Sequence, residues 1–238
     1  MRAALVLLLL AAGCASTSGD GDPRDPLEGA NRRVYRFNEV VDVNVAQPVA
    51  RAYTRVVPNE IRDRVRNFFG NIGDVFIGVN NFLQGKFEEG VGDWARVAFN
   101  STIGLFGIHD VASDMGYEKH NEDFGQTFGR WGARPGPYLV LPLLGSSDAR
   151  DALGTGLDIY SDPMGEVRPY HLQYGLWALR FTQLRADLLD ASRILEEAAL
   201  DKYVFQRDAY LQRRRSLVYD GHPPREKEPE DEEPQKPR

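Results

Sequence analysis

The sequence contains few of the residues that build disulfides and metal sites. Its 238 residues include one cysteine and four histidines. The histidines are scattered, and none belongs to a His-Glu-x-x-His pair. A lone cysteine excludes a disulfide framework and a Cys-x-x-Cys zinc site. We therefore expect neither a bound metal nor any other cofactor.

Motifs of the common catalytic sites are missing as well. Residues 145–148 have the wrong spacing for a Gly-x-Ser-x-Gly nucleophile elbow, and residues 154–156 lack the third glycine of a dinucleotide-binding loop. Asp148 and Asp151 could flank a site, but Asp148 better fits the first turn of a helix, where a carboxylate interacts favourably with the dipole. Nothing in these patterns argues for catalysis, and the net charge of -6 argues against a nucleic-acid partner.

No segment after residue 13 approaches the ~18 apolar, charge-free residues of a transmembrane helix. The N-terminus has a signal-peptide pattern over residues 1–13, with Arg2, an apolar run over residues 3–12 and small residues before Cys14. This pattern resembles a bacterial lipobox, and Ala15 fits delivery to an outer membrane. Acyl chains on Cys14 would form a durable anchor, because each buried CH₂ group contributes ~0.8 kcal/mol. An ordinary signal peptide with an incidental cysteine is the alternative.

The rest of the chain divides into three parts by composition. Residues 14–24 are rich in Ser, Thr, Gly and Asp, which predicts a flexible tether. Residues 222–238 are charged and rich in proline, which predicts a disordered tail. Residues 25–221 carry apolar residues at helical spacing and never alternate strictly, so we predict one all-α domain without strands.

Capping and helix-breaking residues predict where the helices begin and end. Asp25 and Pro26 suit the start of a first helix, and Pro48 should interrupt the helical piece over residues 42–53. The strongest pattern runs from Pro58 to Gly85, followed by helices over residues 88–100 and 201–219.

A long helix is predicted after Pro169. Apolar residues recur along it at spacings of four and three, which indicates a face that packs against another helix. This seam consists of Trp177, Phe181, Leu184, Leu188, Ala191 and Leu195.

The functional interpretation depends on residues 123–151. Gly125, Gly129 and Gly132 are three or four residues apart, so a helix there would have a bare face that a backbone or a lipid chain can approach closely. Prolines at positions 135, 137 and 142 leave residues 138–144 as a short, apolar, non-helical loop. Such a loop needs shelter in a protein core or at a lipid boundary. The apolar segments 75–79 and 99–108 leave the same two alternatives open.

Several motifs resemble those of the MlaA (VacJ) family of outer-membrane lipoproteins, in order and in one register from residue 25 to residue 219. They are Asp-Pro-Leu-Glu-Gly at 25–29, Asn-Arg at 31–32, Phe-Asn at 37–38, Pro-Val-Ala at 48–50, Asn-Phe-Phe at 67–69, Leu-Gln-Gly at 83–85, Asn-Ser-Thr at 100–102, Asp-Phe-Gly-Gln-Thr-Phe-Gly at 123–129, Trp-Gly at 131–132, Gly-Pro-Tyr at 136–138, Leu-Pro at 141–142 and Arg-Asp at 150–151. The Asn-Ser-Thr piece departs slightly from the commoner Asn-Thr pattern of the family.

The resemblance implies a ring- or disc-like helical lipoprotein in the inner leaflet of the outer membrane of a Gram-negative bacterium, on the periplasmic side. An amphipathic channel through the ring would let misplaced phospholipid leave the outer leaflet, with the Gly/Pro-rich apolar loop at this channel. The lipid would pass to a periplasmic lipid-carrier protein and then to an ATP-driven complex of the inner membrane. The disc would associate with trimeric porins, and it would carry out no reaction.

We accordingly predict acylation at Cys14 and assign the channel and its loop to one group of residues: Gly125, Gly129, Arg130, Trp131, Gly132, Arg134, Gly136, Pro137, Tyr138, Leu141, Pro142 and Gly145. Gly136 and Gly145 flank a proline-bearing middle, so we expect the loop to hinge there.

Two other functions remain open, a structural lipoprotein that scaffolds envelope complexes and a lipid-modifying enzyme. Charge reversal at Arg130 or Arg134 should harm lipid clearance only in a transporter. An enzyme should instead release lysophospholipid or fatty acid from vesicles.

Overall fold

The computed structural model describes residues 22–225, except for the side chains of residues 194–198. The predicted anchor at Cys14, most of the tether and most of the charged tail lie outside the described residues. In chain order the elements are α1 (Glu28–Val41), a π-helical segment (Asp42–Ala46), α2 (Gln47–Val56), α3 (Asn59–Leu83), α4 (Phe87–Thr102), α5 (Val111–Asp114), α6 (Phe124–Arg130), β1 (Tyr138–Leu141), β2 (Gly145–Asp148), α7 (Ala149–Ser161), a 3₁₀ turn (Pro163–Glu166), α8 (Tyr170–Asp187), α9 (Leu189–Ala198) and α10 (Lys202–Val218). The all-α class is confirmed, apart from one short hairpin.

The long helix α3 has the ends that the sequence predicts. Pro58 precedes it, and Gly85 follows its last turn with a φ of +80°, a left-handed conformation that glycine adopts without strain. α3 and α4 pack against each other as an antiparallel pair. Glycine makes room at their contact, because a Cβ atom on Gly90 would lie 2.8 Å from the ring of Phe82.

The predicted start of the first helix was wrong. Asp25 does not cap α1, which begins at Glu28 after Leu27. The Asp25 carboxylate is buried and instead accepts a hydrogen bond from Asn31 Nδ2 at 2.8 Å. The residue is therefore used in the core of the domain and not at a helix end.

The predicted interruption at Pro48 was also wrong, because the chain stays helical through this position. The π-helical segment before Pro48 lets the Gln47 N–H donate to the Asp42 carbonyl, five residues earlier. This wider turn relieves the clash that a proline ring makes with the carbonyl four residues before it in an α-helix.

The predicted packing seam after Pro169 is wrong at Phe181, Leu184 and Leu188, while the side chain of Leu195 lies outside the described residues. The helix breaks at Leu188 between α8 and α9, and Phe181, Leu184 and Leu188 are each more than half exposed. The buried residues of α8 are Gln173, Gln183 and Ala186. This helix therefore turns two glutamines inward and several of its large apolar side chains outward.

The apolar loop of residues 138–144 is non-helical as predicted, but the prediction that the domain contains no strand was wrong. β1 and β2 form an antiparallel hairpin in which Tyr138 pairs with Asp148 and Leu141 pairs with Gly145. All four side chains of β1 are buried or partly buried, so both faces of the strand are apolar. The two-residue period that identifies a strand with one solvated face is then lost.

The interior of the described chain is rich in polar groups. Between α3 and α4, Arg96 is 1% exposed and contacts Asp74 at 3.3 Å and Asp110 at 2.9 Å. Nearby, the buried Asp93 accepts from Asn81 Nδ2 at 2.7 Å. We call these five residues the α3–α4 polar core. Among residues 22–225, buried polar and charged side chains outnumber buried apolar ones, while many large apolar side chains are exposed.

Helices α6 and α7 cross where two glycines meet. A Cβ atom on Gly154 of α7 would lie 2.7 Å from the Cα atom of Gly125 in α6. The obstacle is backbone, which cannot move aside as a side chain can. This crossing brings α6, the hairpin and the start of α7 into one compact unit.

We predict opposite effects for two alanine substitutions on α7. Gly154→Ala should destabilise the protein by about 2 kcal/mol or more, because the added methyl group overlaps the backbone of α6. Gly156→Ala should be neutral or stabilising by up to about 1 kcal/mol, since nothing lies within 4 Å of its Cβ position and alanine favours the helix. Unfolding of both variants in detergent, followed by circular dichroism, measures the difference. Equal unfolding midpoints would contradict the close crossing.

Candidate functional site

A cavity of about 490 Å³ opens beside the hairpin. Its wall is formed by α1, the π-helical segment, the hairpin, the corner between α8 and α9, and α10. The lining residues are Tyr35, Asn38, Glu39, Asp42, Val43, Gln47, Val140, Gly145, Arg185, Leu188, Ala191, Ser192, Lys202, Gln206 and Arg213. We call this cavity the opening. A second cavity of about 380 Å³ between α1 and the start of α10 shares Tyr35, Glu39 and Lys202 with it.

Two asparagines of α1 hold the hairpin at the edge of the opening. Asn31 donates to the Tyr138 carbonyl at 3.0 Å and accepts from the Val140 N–H at 2.9 Å. Asn38, two helical turns later, donates to the Leu141 carbonyl at 2.9 Å and accepts from the Leu143 N–H at 2.8 Å. The two amides thereby satisfy the free edge of β1 as a neighbouring strand would.

Aromatic side chains support the hairpin from below. Tyr138 is 1% exposed, and its ring lies 6.2 Å from that of Tyr203 and 5.9 Å from that of Tyr210. The Tyr203 hydroxyl donates to the buried Asp25 carboxylate. Burial first, and then this carboxylate, raise the pKa of Tyr203 above its ordinary value. The hairpin therefore rests on a packed and neutral aromatic layer.

Charged side chains line one part of the opening. Arg185 donates to the Asp42 carboxylate through Nε at 2.5 Å and Nη2 at 2.8 Å. Burial alone would raise the pKa of Asp42, but these hydrogen bonds and one from Gln47 hold it below its ordinary value. Lys202 lies 3.5 Å from Glu39, a loose pair. The wall thus carries fixed charges of both signs.

Apolar side chains line the remainder of the opening, among them Tyr35, Val43, Val140 and Leu188. A cavity of this size that joins apolar walls to a few polar groups is typical of a site for a small amphipathic ligand. The lining can hold both a polar or charged group and a hydrocarbon chain.

The predicted site residues are spread over several places, and among them Gly145 lines the opening directly. Gly125 and Gly129 lie on α6. A Cβ atom on Gly125 would meet Arg214 and Asp151, and one on Gly129 would meet Arg150 and Val218. Their bare face is occupied by α7 and α10. The role of these glycines in a channel stays a prediction.

The last residue of α6 and the residues that follow it are exposed and make few contacts. Arg130 lies 3.7 Å from Asp220, and Trp131 Nε1 donates to the Leu83 carbonyl at 2.9 Å. Gly132, Arg134, Gly136, Pro137 and Pro142 are exposed as well. None of these residues lines the opening in the described structure.

The predicted hinge glycines both have left-handed backbones, with φ of +73° at Gly136 and +84° at Gly145. An L-residue would be strained at either position. Between them, Leu141 is anchored to α1 through its carbonyl, as described above. Hinge motion of the hairpin stays a prediction.

Sequence reasoning missed the basic residues of the wall, which are Arg185, Lys202 and Arg213. They come from two helices distant in sequence, and on the helical wheel they look like solvated positions. The sequence did contain a signal for the part that α1 plays at the hairpin, because Asn31 and Asn38 are seven residues apart and share one face of the helix. Their use as partners of a strand edge does not follow from that spacing.

A cluster of carboxylates and arginines lies under the hairpin. Arg214 donates to Asp123 at 2.6 and 2.7 Å and pairs with Asp151. Asp148 caps α7 by accepting from the Asp151 N–H at 2.8 Å, yet burial raises its pKa to about 6. Burial also raises the pKa of Asp158 to about 6, with a further contribution from the negative charge of Asp123. These groups join α6, α7 and α10.

The described residues contain no group of three or more His, Cys, Asp or Glu side chains arranged to hold a metal ion. Within residues 22–225, no helix is both long enough and apolar enough to cross a membrane.

Comparison with known proteins gives consistent matches over most of the chain. A sequence model of the MlaA lipoprotein family matches residues 23–217. The intermembrane phospholipid transport system lipoprotein MlaA of Escherichia coli (strain K12) is 36% identical over 217 residues, which cover 89% of this chain and 86% of that protein. The Haemophilus influenzae protein of the same description is 29% identical over 228 residues, covering 92% and 90%. A solved structure from work on the structural basis for maintenance of bacterial outer membrane lipid asymmetry has a TM-score of 0.70 and 33% identity, covering 82% of this chain and 98% of that one.

The raised pKa of Asp158 predicts that Asp158→Asn stabilises the folded protein by an amount that depends on pH. The native carboxyl holds its proton to about pH 6 and the unfolded one to about pH 3.8. Wild-type stability is therefore lost as the pH rises through this range. At pH 7.5 the variant should be more stable by about 1–3 kcal/mol, and the gain should shrink towards zero near pH 4. Denaturation in detergent across this pH range measures it.

The control for this experiment is Asp114→Asn, which removes an exposed carboxylate from the short helix α5. It should change stability little at any pH. A gain from Asp158→Asn that is independent of pH would show that the buried charge is not its cause.

Proposed function

Because this chain belongs to the MlaA lipoprotein family, we infer that it acts in intermembrane phospholipid transport as a membrane-associated lipoprotein. Its role is the maintenance of lipid asymmetry in an outer membrane, the subject of the work on the similar structure. The chain covers 86% of its E. coli relative and 98% of the solved chain, so the match extends over nearly the whole folded body.

One observation supports immersion of this body in lipid, namely that its apolar side chains face outward. Val56, Phe106 and Tyr160 are 79%, 77% and 79% exposed. Each would cost free energy in water, at ~25 cal/mol per Å² of apolar surface. The same side chains are at no disadvantage among acyl chains. With no helix in the described residues able to cross a bilayer, the body would lie within one leaflet, held there by acylated Cys14.

The turn between α4 and α5 extends this apolar surface. Ile103, Leu105 and Phe106 are 61%, 59% and 77% exposed, and the last two have left-handed φ angles of 54° and 60°. Non-glycine residues take this conformation only when the surrounding structure holds them there. Here the Phe106 and Gly107 N–H groups donate to carbonyls at the end of α4. The backbone that carries these exposed side chains is thus held in place.

The opening beside the hairpin is the proposed route for the phospholipid. Its apolar wall suits acyl chains and its charged wall suits a headgroup, so a lipid can enter without leaving its charge in hydrocarbon. The lipid would leave the outer leaflet by this route and pass to a periplasmic carrier protein. Association with trimeric porins, which the family resemblance implies, would position the body in the outer membrane.

Transport without catalysis is the function that this site supports best. The wall of the opening contains Ser192 but neither histidine nor cysteine among the described residues. A serine without a neighbouring base is a poor nucleophile. We therefore assign lipid passage, and no lipid hydrolysis, to the opening.

Filling the opening should stop transport. Ala191→Trp places an indole ring in the wall, which leaves too little space for an acyl chain, so lipid clearance should slow severalfold. Ala178→Trp on the exposed side of α8 adds the same ring outside the opening and should leave clearance unchanged. The measurement is the phospholipid content of the outer leaflet in a strain that carries only the variant, at matched protein levels. Normal clearance by Ala191→Trp would exclude this route.

A further inference from the structure

One wall residue of the opening, Arg185, has a buried nitrogen without a hydrogen-bond partner. The Arg185 side chain is 10% exposed and uses Nε and Nη2 on Asp42. Its third nitrogen, Nη1, is buried and has no hydrogen-bond partner within the described structure. A buried donor without a partner is costly, especially on a charged group. A ligand that accepts a hydrogen bond at this point would remove the cost.

The other basic residues of the wall are available to a ligand. Arg213 lines the opening and makes no hydrogen bond or ion pair with any described residue. Lys202 has only its pair with Glu39 at 3.5 Å. Of the two acidic residues, Asp42 is engaged, since its carboxylate already accepts from Arg185 and Gln47, whereas Glu39 has the loose pair with Lys202. Arg185 Nη1 and Arg213 therefore give this wall free cationic donors.

The charge of the wall is opposite in sign to that of the chain. The basic residues Arg185, Lys202 and Arg213 face the acidic residues Glu39 and Asp42, which leaves one positive charge when all five are ionised. The whole chain has a net charge of -6. A local excess of positive charge at the mouth of a partly apolar cavity favours an anionic group of about one charge.

We propose that the opening contains a binding site for the phosphate group of a phospholipid, formed by Arg185, Lys202 and Arg213. Arg185 Nη1 donates to a phosphate oxygen, while Lys202 and Arg213 supply the counter-charge. Guanidinium groups suit this task because their donors match the spacing of phosphate oxygens. The acyl chains then lie against Val43 and Leu188. This site deepens the transport function proposed above and rests on it.

Lipid retention by the full-length, acylated protein in a neutral detergent tests the proposal. The protein is incubated with dioleoyl phosphatidylglycerol and dioleoylglycerol in equal amounts, and the lipid retained after gel filtration is measured by mass spectrometry. The two lipids share their acyl chains and differ in the phosphate headgroup. Wild-type protein should retain the phospholipid about tenfold more strongly, as expected for charge-assisted hydrogen bonds.

Two substitutions examine the residues separately. Arg213→Gln removes the unpaired charge, and Arg185→Lys keeps a charge for Asp42 while it removes the free guanidinium donor. Each should lower phospholipid retention by about fivefold to tenfold and leave dioleoylglycerol retention unchanged. Arg33→Gln removes an exposed arginine of α1 outside the opening and should behave as wild type. An equal loss in Arg33→Gln would overturn the proposal in favour of general surface charge.

The remaining outcomes separate this proposal from the transport function. Equal retention of both lipids by wild type and variants would refute phosphate recognition and leave lipid passage intact. Retention of neither lipid would contradict lipid binding at the opening altogether. Full displacement of the phospholipid by millimolar inorganic phosphate would assign the site to free phosphate and also overturn the proposal.

Discussion

A buried arginine whose donors are all paired is the feature on which the rest of this structure depends. Arg96 contacts Asp74 through Nε, the Ser113 hydroxyl and the Tyr117 carbonyl through Nη1, and Asp110 through Nη2. Burial alone would raise the pKa of Asp110, but hydrogen bonds from Ser113, Asn100 and Arg96 lower it to about 2, so the pair stays charged. A body whose surface is apolar must satisfy its polar groups internally, because surrounding lipid offers no partners. Removing one member of such a buried pair typically costs 3–5 kcal/mol.

The same requirement explains why the opening stands out. Arg96 in the α3–α4 polar core has a partner for every nitrogen, whereas Arg185 leaves Nη1 without one. Nη1 of Arg185 is itself buried, so the difference is not one of solvent access. It reflects position, since Arg185 faces a cavity and Arg96 faces other side chains. Among the buried polar atoms that lack a partner, Arg185 Nη1 belongs to a residue that lines the opening, where a ligand can supply the missing acceptor.

The sequence predicted some features that depend on local chemistry, failed at Asp25 and Pro48, and missed the features that depend on environment. Pro58 and Gly85 bound α3 as expected, because a fixed φ and a left-handed φ are properties of single residues. The apolar seam of α8 was assigned to helix packing, but Phe181, Leu184 and Leu188 are exposed. Periodicity shows which residues share a face and not whether that face meets protein or lipid. The hairpin was missed for a related reason, since strict alternation of apolar and polar residues needs a strand with one solvated face. The residues of the charged wall were missed because only the tertiary fold brings α1, α8 and α10 together.

An incomplete hydrogen-bond set also suits a site that must release its ligand. A lipid bound as tightly as the partners of Arg96 would stay, since each further charge-assisted bond adds roughly 1.5–3 kcal/mol to binding. At the opening, Asp42 already neutralises most of the Arg185 guanidinium, and one donor remains for an incoming group. Passage through a channel requires binding that is favourable enough for entry and weak enough for exit, a balance known from ion conduction. A guanidinium shared between a fixed carboxylate and a transient phosphate meets that requirement, because the carboxylate limits how strongly the phosphate is held.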